Sequence, residues 1–256
     1  MTIFLRKPLL FAAALFGAML TVSQLSPAAW GEQDVAGAVR SKLNKSQYKD
    51  VQVSVDANGI ATLSGTVSEY EYKADADKAT HKIKGVTAVR NEIQVSGPDV
   101  SDAELQKKLG EKLAYDRVGY GNVFDAITLK VQDGVVTLGG HALDYPSRDS
   151  ALALAATTPG VKDVVDEIEV DPLSPMDNGI RVAVARSVYG YPSLNKYAID
   201  PAKPIRISVQ NGNVALYGVV DSEADKDAAG IRANTVPGVF GVKNYLQVEG
   251  QPAEKQ

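Results

Sequence analysis

Apolar residues recur four apart at three places: Val35, Val39, Leu43; Leu105, Leu109, Leu113; and Ile180, Val184, Val188. That spacing lays an apolar stripe along one helix face. Strict alternation follows each stripe, at Val51, Val53, Val55; Ile127, Leu129, Val131; and Ile205, Ile207, Val209. A period of two predicts strands with one buried face. A second strand alternates through Ala61, Leu63, Gly65, Val67, with counterparts Val136, Leu138, Gly140, Ala142 and Val214, Leu216, Gly218, Val220. A second helix follows. Its expected inner positions are Ala76, Ala79, Ile83; Ala151, Leu154, Thr158; and Ala229, Arg232, Val236. A third strand carries Ile93 and Val95, Ile168 and Val170, Leu246 and Val248.

The pattern is a repeat. NGIATLSGTV from Asn58, DGVVTLGGHA from Asp133 and NGNVALYGVV from Asn211 align. So do KGVTAVRNEIQV from Lys84, PGVKDVVDEIEV from Pro159 and PGVFGVKNYLQV from Pro237. Gly59 to Gly85, Gly134 to Gly160 and Gly212 to Gly238 each span 26 residues, and the copies follow one another at 75 and 78 residues. Each unit reads helix, strand, strand, helix, strand. The economical solution is an α+β two-layer sandwich: a three-stranded sheet with two helices on one face, repeated in three tandem units. A crossover through the second helix returns the third strand to the sheet. The units are drawn at 32–97, 98–172 and 173–250, with a disordered tail at 251–256.

Local chemistry supports these boundaries. Ser101 followed by Glu104 is a capping-box pattern. Asp133-Gly134 and Asn211-Gly212 fit two-residue hairpin turns, which need positive φ at both positions. The first unit has the longer turn Asp56-Ala57-Asn58-Gly59. Gly59, Gly134 and Gly212 therefore serve turns, whereas Gly65, Gly140 and Gly218 fall inside a strand. Glycine there marks a bulge or close backbone approach, with a helix packed over the gap as one expected reason. None opens a helix after a strand, as a phosphate-cradling loop would require.

A unit of this size, with V-x-L-x-G on the second strand and G-V-x-x-V-x-N/D-x-I/L-x-V on the third, resembles the BON domain (bacterial OsmY and nodulation). The residues are Ala61, Leu63, Gly65 with Gly85, Val86, Val89, Asn91, Ile93, Val95 in the first copy. The second has Val136, Leu138, Gly140 with Gly160, Val161, Val164, Asp166, Ile168, Val170. The third has Val214, Leu216, Gly218 with Gly238, Val239, Val242, Asn244, Leu246, Val248. All are core or turn positions, so the resemblance speaks for fold more than ligand. It implies an exported envelope protein without enzymatic activity, linked to phospholipid surfaces, envelope integrity and osmotic stress.

The N-terminus fits export. Arg6 and Lys7 precede an uncharged, mainly apolar run from Pro8 to Leu25, and Ser26-Pro27-Ala28 offers small residues for cleavage. This is a secretory leader over 1–28, with Ala29 the alternative cleavage position. Its removal leaves 25 basic and 31 acidic residues, net −6. That balance argues against nucleic acid as a partner, which requires surplus cations. Cysteine is absent, so disulfides, a cysteine nucleophile and a lipidated N-terminal cysteine are excluded. The expected location is periplasmic, without a lipid anchor.

No catalytic, metal or cofactor site emerges. His81 and His141, the two histidines, occupy non-equivalent places in different units. No G-x-S-x-G motif is present. The link between first helix and first strand does vary: 7 residues in the first copy, 13 in the second and 16 in the third. The longer links hold Tyr115, Arg117, Tyr120 and Phe124, then Tyr189, Tyr191, Tyr197 and Lys203. Aromatics beside cations suit a membrane interface or protein partner. They also suit packing onto their own domain or a seal between copies, and these readings stay open.

Lys107, Lys108, Lys112 and Arg117 form a candidate basic patch for anionic phospholipid. Lys73, Arg148 and Lys226 share one aligned column early in the second helix, and Arg148 and Lys226 join the candidate surface. A cation there opposes the helix dipole, so its recurrence asks for a reason. Headgroup contact and local ion pairing are the alternatives. The partners weighed are an anionic phospholipid surface or envelope proteins, with the interaction surface expected in the second and third copies.

Overall fold

The computed structural model describes residues 28–117 and 122–250. Within them the chain forms three α+β units, each with its own apolar core. The first comprises α1 (Ala28–Lys42), β1 (Val51–Val55), β2 (Ile60–Val67), α2 (Tyr70–His81) and β3 (Ala88–Val95). The second comprises α3 (Asp102–Tyr115), β4 (Ala126–Gln132), β5 (Val135–Ala142), α4 (Tyr145–Ala156) and β6 (Asp163–Val170). The third comprises α5 (Pro175–Tyr189), β7 (Arg206–Gln210), β8 (Asn213–Tyr217), β9 (Val219–Val220), α6 (Glu223–Asn234), β10 (Gly241–Asn244) and β11 (Gln247–Val248). The proposed leader, Ala28 apart, and the tail at 251–256 lie outside the described residues, as does Tyr120.

In every unit the second strand is central, antiparallel to the first and parallel to the third. In the third unit the central strand breaks at Gly218 and the last strand at Tyr245 and Leu246, giving β8/β9 and β10/β11. The helical stripes are buried as spaced: Leu105 and Leu109 in one unit, Ile180, Val184 and Val188 in another. The inner stripe of the second helix differs by one position from the expected one. Ala76 and Thr80, Ala151 and Ala155, Ala229 and Ala233 are buried, a spacing of four throughout. Arg232 faces away from that core, and its Nε donates to Ser187 O at 3.2 Å.

The strand glycines have a backbone cause. Gly140 adopts φ 81°, and a Cβ there would lie 2.1 Å from Ala126 O; Gly65 meets Asp50 O in the same way. The close approach is to the first strand, not to an overlying helix. Helix packing occurs instead at Gly85 and Gly238, where a Cβ would meet Val35 and Ile180, while at Gly160 it would meet Val100, just before α3. The two-residue turns hold Asp133 at φ 55° and Asn211 at φ 50°, as the hairpin chemistry requires. They are clamped from the preceding helix. Asp102 accepts from the amides of Asp133 and Gly134, and Asp177 from those of Asn211 and Gly212. In the first unit Asp56 performs this service within its own longer turn, accepting from Asn58 N and Ile60 N.

Candidate functional site

The column of Lys73, Arg148 and Lys226 lies against one recurring polar residue of the third strand, which meets the backbone carbonyl of the two lysines and the side chain of Arg148. Asn91 Nδ2 donates to Lys73 O at 2.9 Å, and its Oδ1 accepts from Ile93 N. Asn244 repeats this with Lys226 O and Leu246 N. The second unit has Asp166 at that place, and a carboxylate cannot donate to a carbonyl. Arg148 Nη2 donates to Asp166 instead, while Asp166 Oδ1 accepts from Ile168 N. Arg148 is thus engaged by its own unit.

Most of the link aromatics also point inward or across to a neighbour. Arg117 is 2% exposed. Its Nη2 donates to Asp125 Oδ2 at 3.1 Å and to Ser147 O at 2.7 Å, and Ser147 Oγ donates to Asp125 Oδ2 at 2.5 Å. This corrects the reading of Arg117 as a surface cation: burial with a carboxylate partner removes it from any lipid surface. Tyr197 is buried, donating to Asp225 Oδ2 and accepting from Asp221 N. Tyr189 donates to Ile205 O at 2.6 Å, and burial pushes its phenol pKa well up. These two tyrosines belong to the core of the third unit. Tyr191 is 41% exposed, with the Arg232 guanidinium 5.7 Å from its ring centroid.

The second unit's link joins its neighbour. Val123 and Phe124 pack against the core of the third unit. Tyr115 OH donates to Asp200 Oδ1 at 3.1 Å. Between the first and second units, Tyr70 packs on the second core with its hydroxyl 3.5 Å from Val164 O. Lys107, Lys108 and Lys112 remain on α3, the first two exposed and the third half-buried. None of the three makes an ion pair among the described residues.

The densest polar cluster lies where the second and third units meet. Asp171, which follows β6, is 1% exposed. It accepts from Arg181 Nη2 at 3.2 Å, from Ser208 Oγ at 3.0 Å and from Gln210 Nε2 at 3.0 Å. His141 Nδ1 lies 3.5 Å from Asp171 Oδ1 and 3.2 Å from Gln210 Nε2. A neutral His141 accepts from the amide; a protonated one donates to Asp171. Burial works against the Asp171 carboxylate, but hydrogen bonds from His141, Gln210 and Ser208 and the Arg181 charge together hold its pKa below the ordinary value of 3.8. The hydrogen bond to Asp171 raises His141 above 6.5 against the opposing effect of its own burial, with the Asp171 and Glu169 charges adding to the rise.

The signs set a pH window. A raised histidine stabilises the fold fully below 6.5, and that contribution is lost as pH rises through the folded value. A depressed aspartate contributes above 3.8 and is lost as pH falls through its folded value. The junction is therefore expected to be firmest between these two ordinary values. A urea midpoint lower at about pH 8 than at about pH 6, with the difference abolished by His141→Gln, is the expected measurement. An equal midpoint shift in the variant would assign the pH dependence elsewhere.

Sequence reasoning missed this cluster, because its members are spread from His141 to Gln210 over separate elements of two units, and no local spacing joins them. It also missed Tyr217 and Tyr245, whose rings stack with centroids 5.3 Å apart. The repeat itself carried that signal. The matching columns hold Ser64 and Glu92 in the first unit, Gly139 and Glu167 in the second. Among the described residues, no group of three His, Cys, Asp or Glu side chains is placed to hold a metal ion.

The BON domain family model matches residues 31–97, 101–172 and 192–250, the third match beginning after α5. Osmotically-inducible protein Y of Escherichia coli (strain K12) is 31% identical over 211 residues, which cover 78% of this chain and 98% of that protein. Among solved structures, CdsD, a structural protein of the Type III secretion system of Chlamydia trachomatis, aligns with 84% of this chain and 92% of its own at 14% identity and TM-score 0.25. The periplasmic domain of the inner membrane protein PrgH from S. typhimurium aligns with 83% and 99% at 9% identity and TM-score 0.18. These two likenesses are too low to carry any argument. The three family matches fall one in each of the three units, the relative is matched over nearly its full length, and the chain belongs to the BON domain family.

Proposed function

We propose that the chain is an exported, non-enzymatic protein of the bacterial periplasm that supports the envelope under osmotic stress by contacting anionic phospholipid surfaces. Similarity to an osmotically inducible protein and the leader pattern over 1–28 support the setting. No helix among the described residues is long and apolar enough to cross a membrane. The observation that carries the lipid reading is the trio Lys107, Lys108 and Lys112 on α3, without ion pairs among the described residues, in a chain of net negative charge. Each lysine near an anionic surface contributes about 1 kcal/mol, and the attraction falls off within a Debye length. The attraction is local, since the whole mature chain is repelled.

Sedimentation of the mature chain with anionic vesicles at low and moderate salt tests this. Pelleting above a neutral-lipid control at low salt, weaker at moderate salt and lost when the three lysines become glutamate, is the expected result. No pelleting above that control at either salt sinks the lipid reading. A protein-interaction scaffold is then favoured, for which Leu173 and Met176 stand exposed between the second and third units.

A further inference from the structure

The open face of the third sheet differs from those of the other two units. In the first, Ser64 pairs across the parallel strands with Glu92; in the second, Gly139 pairs with Glu167. A small residue and a carboxylate leave such a face flat and hydrated. In the third unit, Leu216 pairs with Asn244, and the residues that follow them are Tyr217 and Tyr245. Their rings stack at an interplanar angle of 21°. His141, from the second unit, continues the row, 6.1 Å from the Tyr217 ring. The three rings wall a cleft of about 640 Å³ at the junction of the two units, within the size range of small-ligand sites.

Part of the cleft's polar capacity is unused. Lys243 and Asn213 are exposed along it; Asn213 Nδ2 donates to Gln210 O and Asn211 O, which leaves its Oδ1 as the open acceptor, and neither phenol hydroxyl has a hydrogen-bond partner among the described residues. No carboxylate lines it. Tyr245 lies beside β10, the edge strand, with no second ring against its outer face among the described residues. Aromatic faces, phenol hydroxyls, an amide and an ammonium together match a pyranose ring, which has an apolar C–H face and a rim of hydroxyls. A lipid tail finds no apolar band here, and a nucleic acid strand is disfavoured by the net charge.

We infer that this cleft binds a chain of pyranose sugars, with Tyr217 and Tyr245 as the stacking platform, Asn213 and Lys243 as hydroxyl partners, and His141 as the wall supplied by the second unit. This does not rest on lipid contact through α3, which lies elsewhere on the molecule.

The test is titration of the mature, isotope-labelled chain with chitotetraose, cellotetraose and maltotetraose, read by amide chemical shifts. Saturable shifts centred on residues 213–217 and 241–245 are expected with at least one of them. The variant Tyr217→Ser with Tyr245→Glu places the first unit's own residues at these positions. It is expected to keep its secondary structure and to weaken binding about tenfold. Lys243→Ala, at an exposed position without an ion pair among the described residues, is expected to weaken it several-fold and guards against a misfolded double variant. No saturable shift with any of the three sugars overturns the inference. So do shifts centred elsewhere, or affinity unchanged in both variants.

Discussion

Replacing Arg117 by alanine is expected to lower stability by about 3–5 kcal/mol, a large fraction of what a small domain possesses. The guanidinium is buried beside Asp125, and it also donates to Ser147 O in the first turn of α4. Its removal leaves a buried carboxylate with Ser147 Oγ and the Leu143 amide as its remaining donors. That uncompensated charge, more than the lost attraction, makes the change severe. Replacing Arg117 and Asp125 together by leucine is expected to cost much less, because no charge is then stranded. Urea denaturation of the two variants checks this. A single variant no worse than the double one would show that the site admits water and the pair is not desolvated.

Asp171→Ala is expected to cost a similar amount, about 3–5 kcal/mol, with a second consequence the first variant lacks. Arg181 is 3% exposed and would retain only Val209 O as a partner, its Nε being unsatisfied already. Ser208 and Gln210 would lose their shared acceptor, and His141 the nearer of its two carboxylates. Because these groups come from both the second and third units, the junction should loosen along with the third core. Hydrogen exchange should show deprotection at β7 and around His141 while the first unit stays protected. Uniform deprotection of all three units would instead mean that the chain unfolds as one body.

The two variants differ in how visible their targets are along the chain. Arg117 stands in a link with tyrosines and glycines, and its local context reads as a basic, aromatic surface. Only the fold of the link, which turns Asp125 back onto it, and Ser147, brought by α4, make it a core residue. Asp171 is one of many acidic residues near a proline, and nothing near it in sequence marks it as buried. Phe124 likewise reads as an exposed aromatic until the third unit's core is set against it. Tyr189 and Tyr197 are legible as aromatic residues of a long link, but the hydroxyls' choice of Ile205 O and Asp225 is made in space.

What the sequence determined by itself is whatever repeats at short range. The spacings of four and two set helices and strands, and Asp133-Gly134 and Asn211-Gly212 set the turns through their own φ preferences. Three aligned copies then made the unit unmistakable, since each copy must solve the same local packing problem. Burial of a charge has no such local signature. It depends on whether an opposite charge and a donor arrive from another element, and a low-dielectric setting makes that partner decisive. The tertiary structure alone therefore decided that Arg117 and Arg181 lie inside, that Lys107 and Lys108 remain outside, and that Tyr217 and Tyr245 meet His141 across two units.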